Sequence, residues 1–256
     1  KTEGYRFTPV SHLRDGDFRP TTTSPADVDL ESFGHRTLPN IDAYRIVLAG
    51  GRVVPSLSTQ FPLATGGLSV RPLKRALEEA ADDDQRKELE GRLGTLLSRD
   101  DLPFAALNLA LFEDGLHIHV ARNQKVDKPL HLIHVTTPED DQPTLTTQRL
   151  LIELETGAEA TIIESYVGLG AKTSTASAWL NQATEVYLDP NAHLDHIQLQ
   201  RRNSVAHLTR AIEASVQRNA HYRNHNLAFG SPLVRTDLVV NLEGEASDTT
   251  LNGLVL

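Results

Sequence analysis

The second half of the chain repeats a short phrase, and this repeat restricts the possible folds more than any other feature of the sequence. The copies are LETGAEATIIESYV at 154–167, LDPNAHLDHIQLQ at 188–200, VQRNAHYRNHNLAFG at 216–230 and LEGEASDTTLNGLVL at 242–256. Each copy has an alternating lead-in, a polar or glycine-containing corner, an alanine and a second alternating stretch. Because side chains alternate between the two faces of a β-strand, each copy predicts two strands joined at a corner.

The spacing of the copies indicates a solenoid. We take the alanines beside the four corners as equivalent; they recur at intervals of 34, 28 and 26 residues and are Ala158, Ala192, Ala220 and Ala246. Uneven intervals fit coils that share strand positions while their loops differ in length. A β-sandwich or a cupin-type double-sheet barrel would also contain short alternating strands, but neither readily explains a recurring corner. The pattern therefore predicts a mainly β fold, a parallel β-solenoid.

The first 112 residues have a mixed pattern. Residues 1–40 indicate an extended or partly helical arm, and YRIVLAGGRVV at 44–54 predicts a hairpin hinged on two glycines. Apolar spacing predicts helices between 72 and 97, which the acidic run at 82–84 divides and caps. A further helix is predicted at 101–112, with Asp101 as a possible cap. The strand-like runs LHIHV and LHLIHV follow, so we predict an N-terminal region at 1–112 and a solenoid at 113–256.

Composition excludes several classes of protein. The net charge is −9, aromatic residues make up 5% of the chain, and basic residues form no long run. Nucleic-acid binders usually carry a basic face with stacking aromatic residues, so we expect no nucleic-acid partner. No stretch approaches the roughly 18 consecutive apolar residues that a membrane helix requires, and there is no cysteine. We therefore expect a soluble protein with no membrane partner, no disulfide framework and no thiolate ligand for a metal; the cytoplasmic location that we expect belongs to the family resemblance given below.

Histidines are the main candidates for a metal site. His117 and His119 lie two apart on a predicted strand and share a face, as in the H-x-H element of metal-binding barrels. His131 and His134 could add a ligand, although their spacing places them on opposite faces. The ordinary interpretation is that these histidines face solvent. The alternative is a cupin-like metal-dependent enzyme built on His117 and His119.

The other polar residues indicate no catalytic centre. Histidines near the corners could form a polar ladder on stacked coils, or hold a metal between coils; they are His193, His196, His221 and His225. The acidic residues of this half have no spacing typical of a catalytic pair and are predicted to be surface charges; they are Glu153, Glu155, Glu159 and Glu164. The chain has neither a P-loop motif nor a nucleophile elbow. We therefore predict no catalytic residue, assign no cofactor-binding residue and expect no enzyme activity.

A third interpretation is a β-solenoid that acts alone as a carbohydrate-binding or adhesive module. Sugar-binding surfaces usually present exposed aromatic rings, and Trp179 is the only tryptophan of the chain. The low aromatic content therefore argues against this interpretation.

Several longer phrases resemble a known family. They are EGYRFTPVSHL near the start, YRIVLAGGRVVPSLS, FAALNLALFEDGLHIHVARNQKVDKPLHLIHVTT, GAEATIIESYVG, NQATEVYLDPNAHLDHIQLQ and LNGLVL. Together they resemble the SufB/SufD family of the SUF iron–sulfur cluster assembly machinery, and YRFTP at 5–9 looks more like the SufD branch. The resemblance implies a right-handed parallel β-helix behind a mixed N-terminal region.

The resemblance also implies a function. Family members are non-catalytic scaffold subunits that act with the ABC-type ATPase SufC and the paralogue SufB, or as a homodimer where the paralogue is absent. The iron–sulfur cluster and ATP would then be handled by partner subunits, and this chain would hold no cofactor. The C-terminal part of the family has no counterpart after Leu256, so we expect the sequence to be a piece of a longer protein. No catalytic or metal-binding residue is transferred from the family.

Overall fold

In the computed structural model, parallel β-strands form two sheets in the described part of the chain. The structure describes residues 8, 10–22, 38, 41–98, 100–136, 142–168, 177–201 and 206–256. The helices within these ranges are α1 (Ser11–Asp15), α2 (Leu73–Glu78), α3 (Asp83–Arg92) and α4 (Pro103–Leu111), and a 3₁₀ turn spans Pro55–Leu57. The first strands are β1 (Arg19–Pro20), β2 (Tyr44–Ala49), β3 (Arg52–Val53), β4 (Leu63–Thr65) and β5 (Leu68–Pro72).

The remaining strands make up the repeating half. They are β6 (Gly115–Val120), β7 (Leu130–Thr136), β8 (Thr144–Leu154), β9 (Glu159–Gly168), β10 (Ala178–Leu188), β11 (His193–Arg201), β12 (Ala206–Val216), β13 (His221–Phe229), β14 (Leu233–Leu242) and β15 (Asp248–Val255). From β6 onward, consecutive strands alternate between the two sheets, and each strand pairs in parallel with the strand two positions along. The predictions of a mainly β fold and of an N-terminal region with helices and strands are confirmed.

The order of the strands defines the two sheets. Sheet 1 has the order β14-β12-β10-β8-β6-β5-β4, with β1 beside β8, and sheet 2 has the order β15-β13-β11-β9-β7-β2-β3. The N-terminal strands thus extend both sheets, because β2 pairs with β7 and β5 pairs with β6. The boundary near residue 113 stays a prediction.

The corners of successive coils are stacked and hydrogen-bonded to one another. Gly157, Asn191 and Asn219 have φ values of 70°, 63° and 57°, a left-handed conformation that glycine and asparagine adopt at the lowest cost. Their backbone N–H groups each donate to a carbonyl of the next coil at 2.9–3.0 Å. The turn itself therefore favours the Gly and Asn residues of the repeated phrase.

The predicted equivalence of the four alanines is wrong for the last copy. The N–H of Ala158, Ala192 and Ala220 each closes the turn to a carbonyl three residues earlier, and in the fourth corner this bond is made by Ser247. Ala246 instead has a φ of 57° and occupies the position of Asn219. The three true alanine positions are fully buried, because the small side chain lies where neighbouring coils approach.

The main apolar core lies between the two sheets, next to these corners. Each strand from β6 to β13 contributes inward-facing residues to this core. They include Leu116, Ile118, Leu130, Leu132, Leu150, Ile152, Ile162, Val186, Leu194, Ile212 and Tyr222. Smaller apolar clusters lie on the outer face of sheet 1, where the helices pack against β8, β10 and β12. Sheet 1 is consequently buried on both faces.

The N-terminal predictions are largely confirmed. β2 and β3 form the hairpin around Gly50 and Gly51, and the Asp82 carboxylate accepts the backbone N–H of Gln85 at 2.8 Å to cap α3. The capping role of Asp101 is wrong, because α4 is preceded by Leu102 and begins with Pro103 without a side-chain cap. Apart from Thr8, the phrase at 5–9 lies outside the described residues, as does most of the predicted arm.

A buried ion pair holds the segment between α3 and α4 against sheet 1. Glu185 on β10 pairs with Arg149 on β8 at 2.7 Å, and both side chains are buried. The same carboxylate accepts the backbone N–H groups of Gly94 and Leu96 at 2.7 and 3.0 Å. The helical region is therefore attached to the sheet through charge-assisted hydrogen bonds as well as apolar contacts.

Candidate functional site

A polar cavity, here called the outer cavity, lies between α3 and the outer face of sheet 1. Its volume is about 280 Å³. It is lined by Arg71, Gln85, Glu88, Leu89, Arg92, His117, His119, Arg122, Glu153, Leu154, Glu155 and Asp189. The two predicted histidines therefore face the same cavity, which is partly open to solvent, because both project from the outer face of β6.

Each histidine of the outer cavity is paired with a glutamate. His117 Nε2 contacts Glu153 Oε2, and His119 Nε2 lies 2.9 Å from Glu155 Oε1. The prediction that these residues face solvent is wrong for His117, whose side chain is 3% exposed, and for Glu153, which is also buried. Helix α3 causes this burial, because Arg92 reaches over the sheet to Glu153 Oε1 at 2.5 Å.

Opposite effects act on the carboxylates of the outer cavity. Burial raises the pKa of Glu153, but hydrogen bonding to His117 and the charge of Arg92 outweigh it and lower that pKa below its usual value. The pKa of Asp189 is instead raised, because burial and the neighbouring Glu155 and Glu153 outweigh the attraction of Arg92.

The arrangement of these histidines bears on the predicted metal site. In the described residues, no group of three or more histidine, aspartate or glutamate side chains is placed to hold a metal ion. His131 and His134 do not approach the pair; His131 Nε2 lies 2.8 Å from Ser165 Oγ on sheet 2. A metal role for His117 and His119 stays a prediction.

A second polar group, here called the interior cluster, lies between the sheets around Glu164. Its carboxylate is fully buried and accepts hydrogen bonds from His134 Nε2, Gln182 Nε2, His196 Nε2 and Gln198 Nε2, at 2.7, 2.7, 2.7 and 3.1 Å. The predictions that Glu164 is a surface charge and that His134 faces solvent are wrong. The alternation of β9 contained the signal, since Ile162, Glu164 and Tyr166 share the inward phase.

The interior cluster extends across successive coils. His134 Nδ1 lies 2.5 Å from Gln148 Oε1, and His196 Nδ1 lies 3.0 Å from the Tyr222 hydroxyl. Tyr166 donates to Gln182 at 2.5 Å, and the Arg210 guanidinium lies 4.9 Å from the centre of the Tyr166 ring. Polar side chains thus replace the apolar core at this end of the strands.

The interior cluster keeps its carboxylate ionised. Burial raises the pKa of Glu164, but the hydrogen bonds from His134 and His196 outweigh burial and hold that pKa well below its usual value. The hydroxyl of Tyr166 is affected in the opposite direction, because burial and the nearby Glu164 raise its pKa well above the usual value. The cluster therefore contains a fixed negative charge surrounded by donors.

The predicted ladder of stacked histidines exists on the outer face of sheet 2. His193 and His221 are register partners whose ring centroids lie 4.5 Å apart, and His221 Nδ1 lies 2.6 Å from Asp248 Oδ1. His225 shares this face, but His196 lies inside the coil instead. Glu159 is exposed on this face, as predicted, and pairs with Lys125 at 2.7 Å.

Comparison with known proteins points to one family. Residues 134–256 match the model of the SUF system FeS cluster assembly, SufBD core domain. The chain is 27% identical over 259 residues to the iron–sulfur cluster assembly protein SufD of Escherichia coli K12, an alignment that covers 100% of this chain and 55% of that protein. The chain belongs to the SufB/SufD family.

Two further relatives carry the family name. The SufBD family protein slr0076 of Synechocystis is 26% identical, over 100% of this chain and 55% of its own length. The SufBD family protein PH1385 of Pyrococcus horikoshii is 25% identical over 193 residues, which cover 75% of this chain and 41% of that protein. The chain spans about half the length of the curated relatives it matches. Among its described helices, none is long and apolar enough to cross a membrane.

Proposed function

We propose that this protein is a non-catalytic scaffold subunit of the SUF iron–sulfur cluster assembly machinery and that it acts in the cytoplasm. The observation that carries this proposal is the SufBD core match at 134–256, supported by two relatives that align along the whole chain. The cluster is the cargo of this assembly, and this chain contributes shape and binding surface to it.

The proposed architecture is a right-handed parallel β-helix at 113–256, preceded by a mixed region at 1–112. Strands that alternate between two sheets, each pairing with the strand two positions along, support this architecture. Right-handedness follows from the strong preference for right-handed connections between parallel strands. Stacked coils with continuous hydrogen-bonded ladders form a stiff column, which suits a scaffold.

The proposed partners are a SufC-type ABC ATPase and a SufB-type paralogue, with a homodimer where the paralogue is absent. This part of the proposal rests on family membership. ATP and the cluster are handled by the partner subunits, so this chain requires no cofactor of its own.

Light scattering after size-exclusion chromatography tests the partners directly. The full-length protein is mixed with the SufC-type ATPase and the SufB-type paralogue of the same organism, and an unrelated ABC ATPase of that organism is the control. We expect a stable species with the summed mass only with the SUF partners. The absence of such a species with either partner would contradict the scaffold role.

A deletion strain tests the role in the cell. We expect lower activity of iron–sulfur enzymes in the deletion strain and recovery when the full-length gene is restored. Unchanged activity under iron limitation would argue that the protein serves another process.

A further inference from the structure

The outer cavity has features that a scaffold role does not require. It is bounded by α3 above and by the outer faces of β6 and β8 below, it is partly open to solvent, and its lining is mostly charged. A polar cavity of this kind is costly to maintain unless its groups are satisfied by each other or by a ligand. The pairing of its side chains therefore indicates what it could bind.

Several charges of the outer cavity are already paired. Glu153 contacts His117 and Arg92, and Glu155 accepts from His119 and from the backbone N–H of Arg122 at 2.8 Å. Arg92 also pairs with Glu88 at 2.7 Å. These groups build the walls of the cavity and fix the orientation of both histidines.

Other groups remain without a partner among the described residues. The side-chain charges of Arg71, Arg122 and Asp189 form no hydrogen bond or ion pair there. Two atoms of lining residues are also buried and unsatisfied, Arg71 Nε and His117 Nδ1, and the His117 side chain is 97% buried. A buried donor left without an acceptor costs about 1–3 kcal/mol, so the Arg71 side of the cavity is suited to an acceptor.

The unpaired side chains of the cavity would bind ligand groups of opposite charge. Arg71 and Arg122 are guanidinium groups, which bind carboxylates with paired hydrogen bonds. Asp189 is a carboxylate without a hydrogen-bond partner among the described residues; it feels the charge of Arg92 and of three acidic side chains, Glu153, Glu155 and Glu88. A ligand that satisfies both parts must carry an anionic group and a cationic group.

We propose that the outer cavity binds a small zwitterion of the α-amino-acid class. The ligand carboxylate lies against Arg71 and Arg122, and its ammonium group lies against Asp189. Leu89 and Leu154 are the apolar residues of the lining and leave room for a short side chain. The cavity volume of about 280 Å³ is at the small end for ligand sites and admits such a molecule together with water.

Calorimetric titration of the full-length protein with three probes tests this proposal. L-alanine carries both charges, propionate lacks the ammonium group, and ethylamine lacks the carboxylate. We expect saturable binding of L-alanine with a Kd near 1 mM, as suits a ligand of this size, and at least tenfold weaker binding of the other two. Equal binding of propionate and L-alanine, or no saturable binding of L-alanine, would overturn the proposal.

Substitutions with matched controls locate the site. Arg71→Gln and Asp189→Asn are each expected to weaken L-alanine binding by about 10- to 100-fold, because each removes one charge-assisted contact. Arg52→Gln and Asp195→Asn change the same residue types in exposed ion pairs outside the cavity and should leave the affinity unchanged. Unchanged affinity in both cavity variants, with far-UV circular dichroism spectra like that of the original protein, would exclude this cavity.

Discussion

The fully buried carboxylate of Glu164 allows a sharp test of what holds the column together. In Glu164→Gln the side-chain shape is kept, but one of the two oxygens becomes an NH₂ group. Each oxygen accepts two donors, His134 and Gln182 on one and His196 and Gln198 on the other. The variant therefore loses about two charge-assisted hydrogen bonds, each of about 1.5–3 kcal/mol. Part of this loss is offset because no carboxylate has to be desolvated.

We expect Glu164→Gln to lower the free energy of unfolding by about 3 kcal/mol. Urea unfolding followed by circular dichroism measures this change. Glu159→Gln is the matched control, because it lies on the same strand in an exposed ion pair with Lys125 and should cost less than about 1 kcal/mol. Equal midpoints for the two variants would refute the argument that the interior cluster stabilises the coils.

The same carboxylate predicts a dependence on pH. Its pKa in the folded protein lies well below the usual value, because the donors of His134 and His196 outweigh the effect of burial. The unfolded chain therefore binds this proton at a higher pH than the folded chain does. The stabilisation is complete above pH 4.5 or so and is lost as the pH falls further, and Glu164→Gln should lose less stability over that range.

Three further predictions concern other parts of the molecule. Burial lowers the pKa of His131 to about 4. At pH 5 the imidazole therefore stays neutral in the folded state, whereas it takes up a proton in the unfolded state. We expect the free energy of unfolding to be about 2 kcal/mol lower at pH 5 than at pH 7 because of this residue. In His131→Gln the urea midpoint should change less between these two pH values than it does in the original protein. An equal change in both proteins would contradict the role given to His131. Glu185→Gln removes the partner of buried Arg149 and should cost about 3–5 kcal/mol; thermal unfolding measures the loss, and limited proteolysis should show earlier cleavage near residue 94. The double variant His117→Ala/His119→Ala should leave the metal content of the purified protein unchanged by elemental analysis, because no group of three or more metal-ligating side chains is formed among the described residues. Loss of one equivalent of metal would favour the metal-enzyme alternative.

The local features of this fold could be predicted because they depend on local physical chemistry. A period of two indicates a strand wherever it occurs, and Asn or Gly before a buried alanine marks a left-handed corner. The prediction was wrong at Ala246 because an alanine adopts that conformation there and Ser247 makes the turn-closing hydrogen bond instead. The intervals alone gave no sign of this one-residue difference.

Predicting the candidate sites required knowing which polar residues are buried, and burial depends on contacts between residues that are distant in sequence. Alternation along β9 shows that Glu164 shares a phase with Ile162, but it does not show which phase lies inside. Likewise, nothing in LHIHV indicates that α3 covers His117, because residues 83–92 and 117 are distant in sequence and are brought together only by tertiary packing. The sequence by itself determined the strands, their corners and the family, through periodicity and turn preference. Only the tertiary structure decided which polar residues are enclosed, because enclosure depends on segments that are distant in sequence packing on both faces of the same sheet.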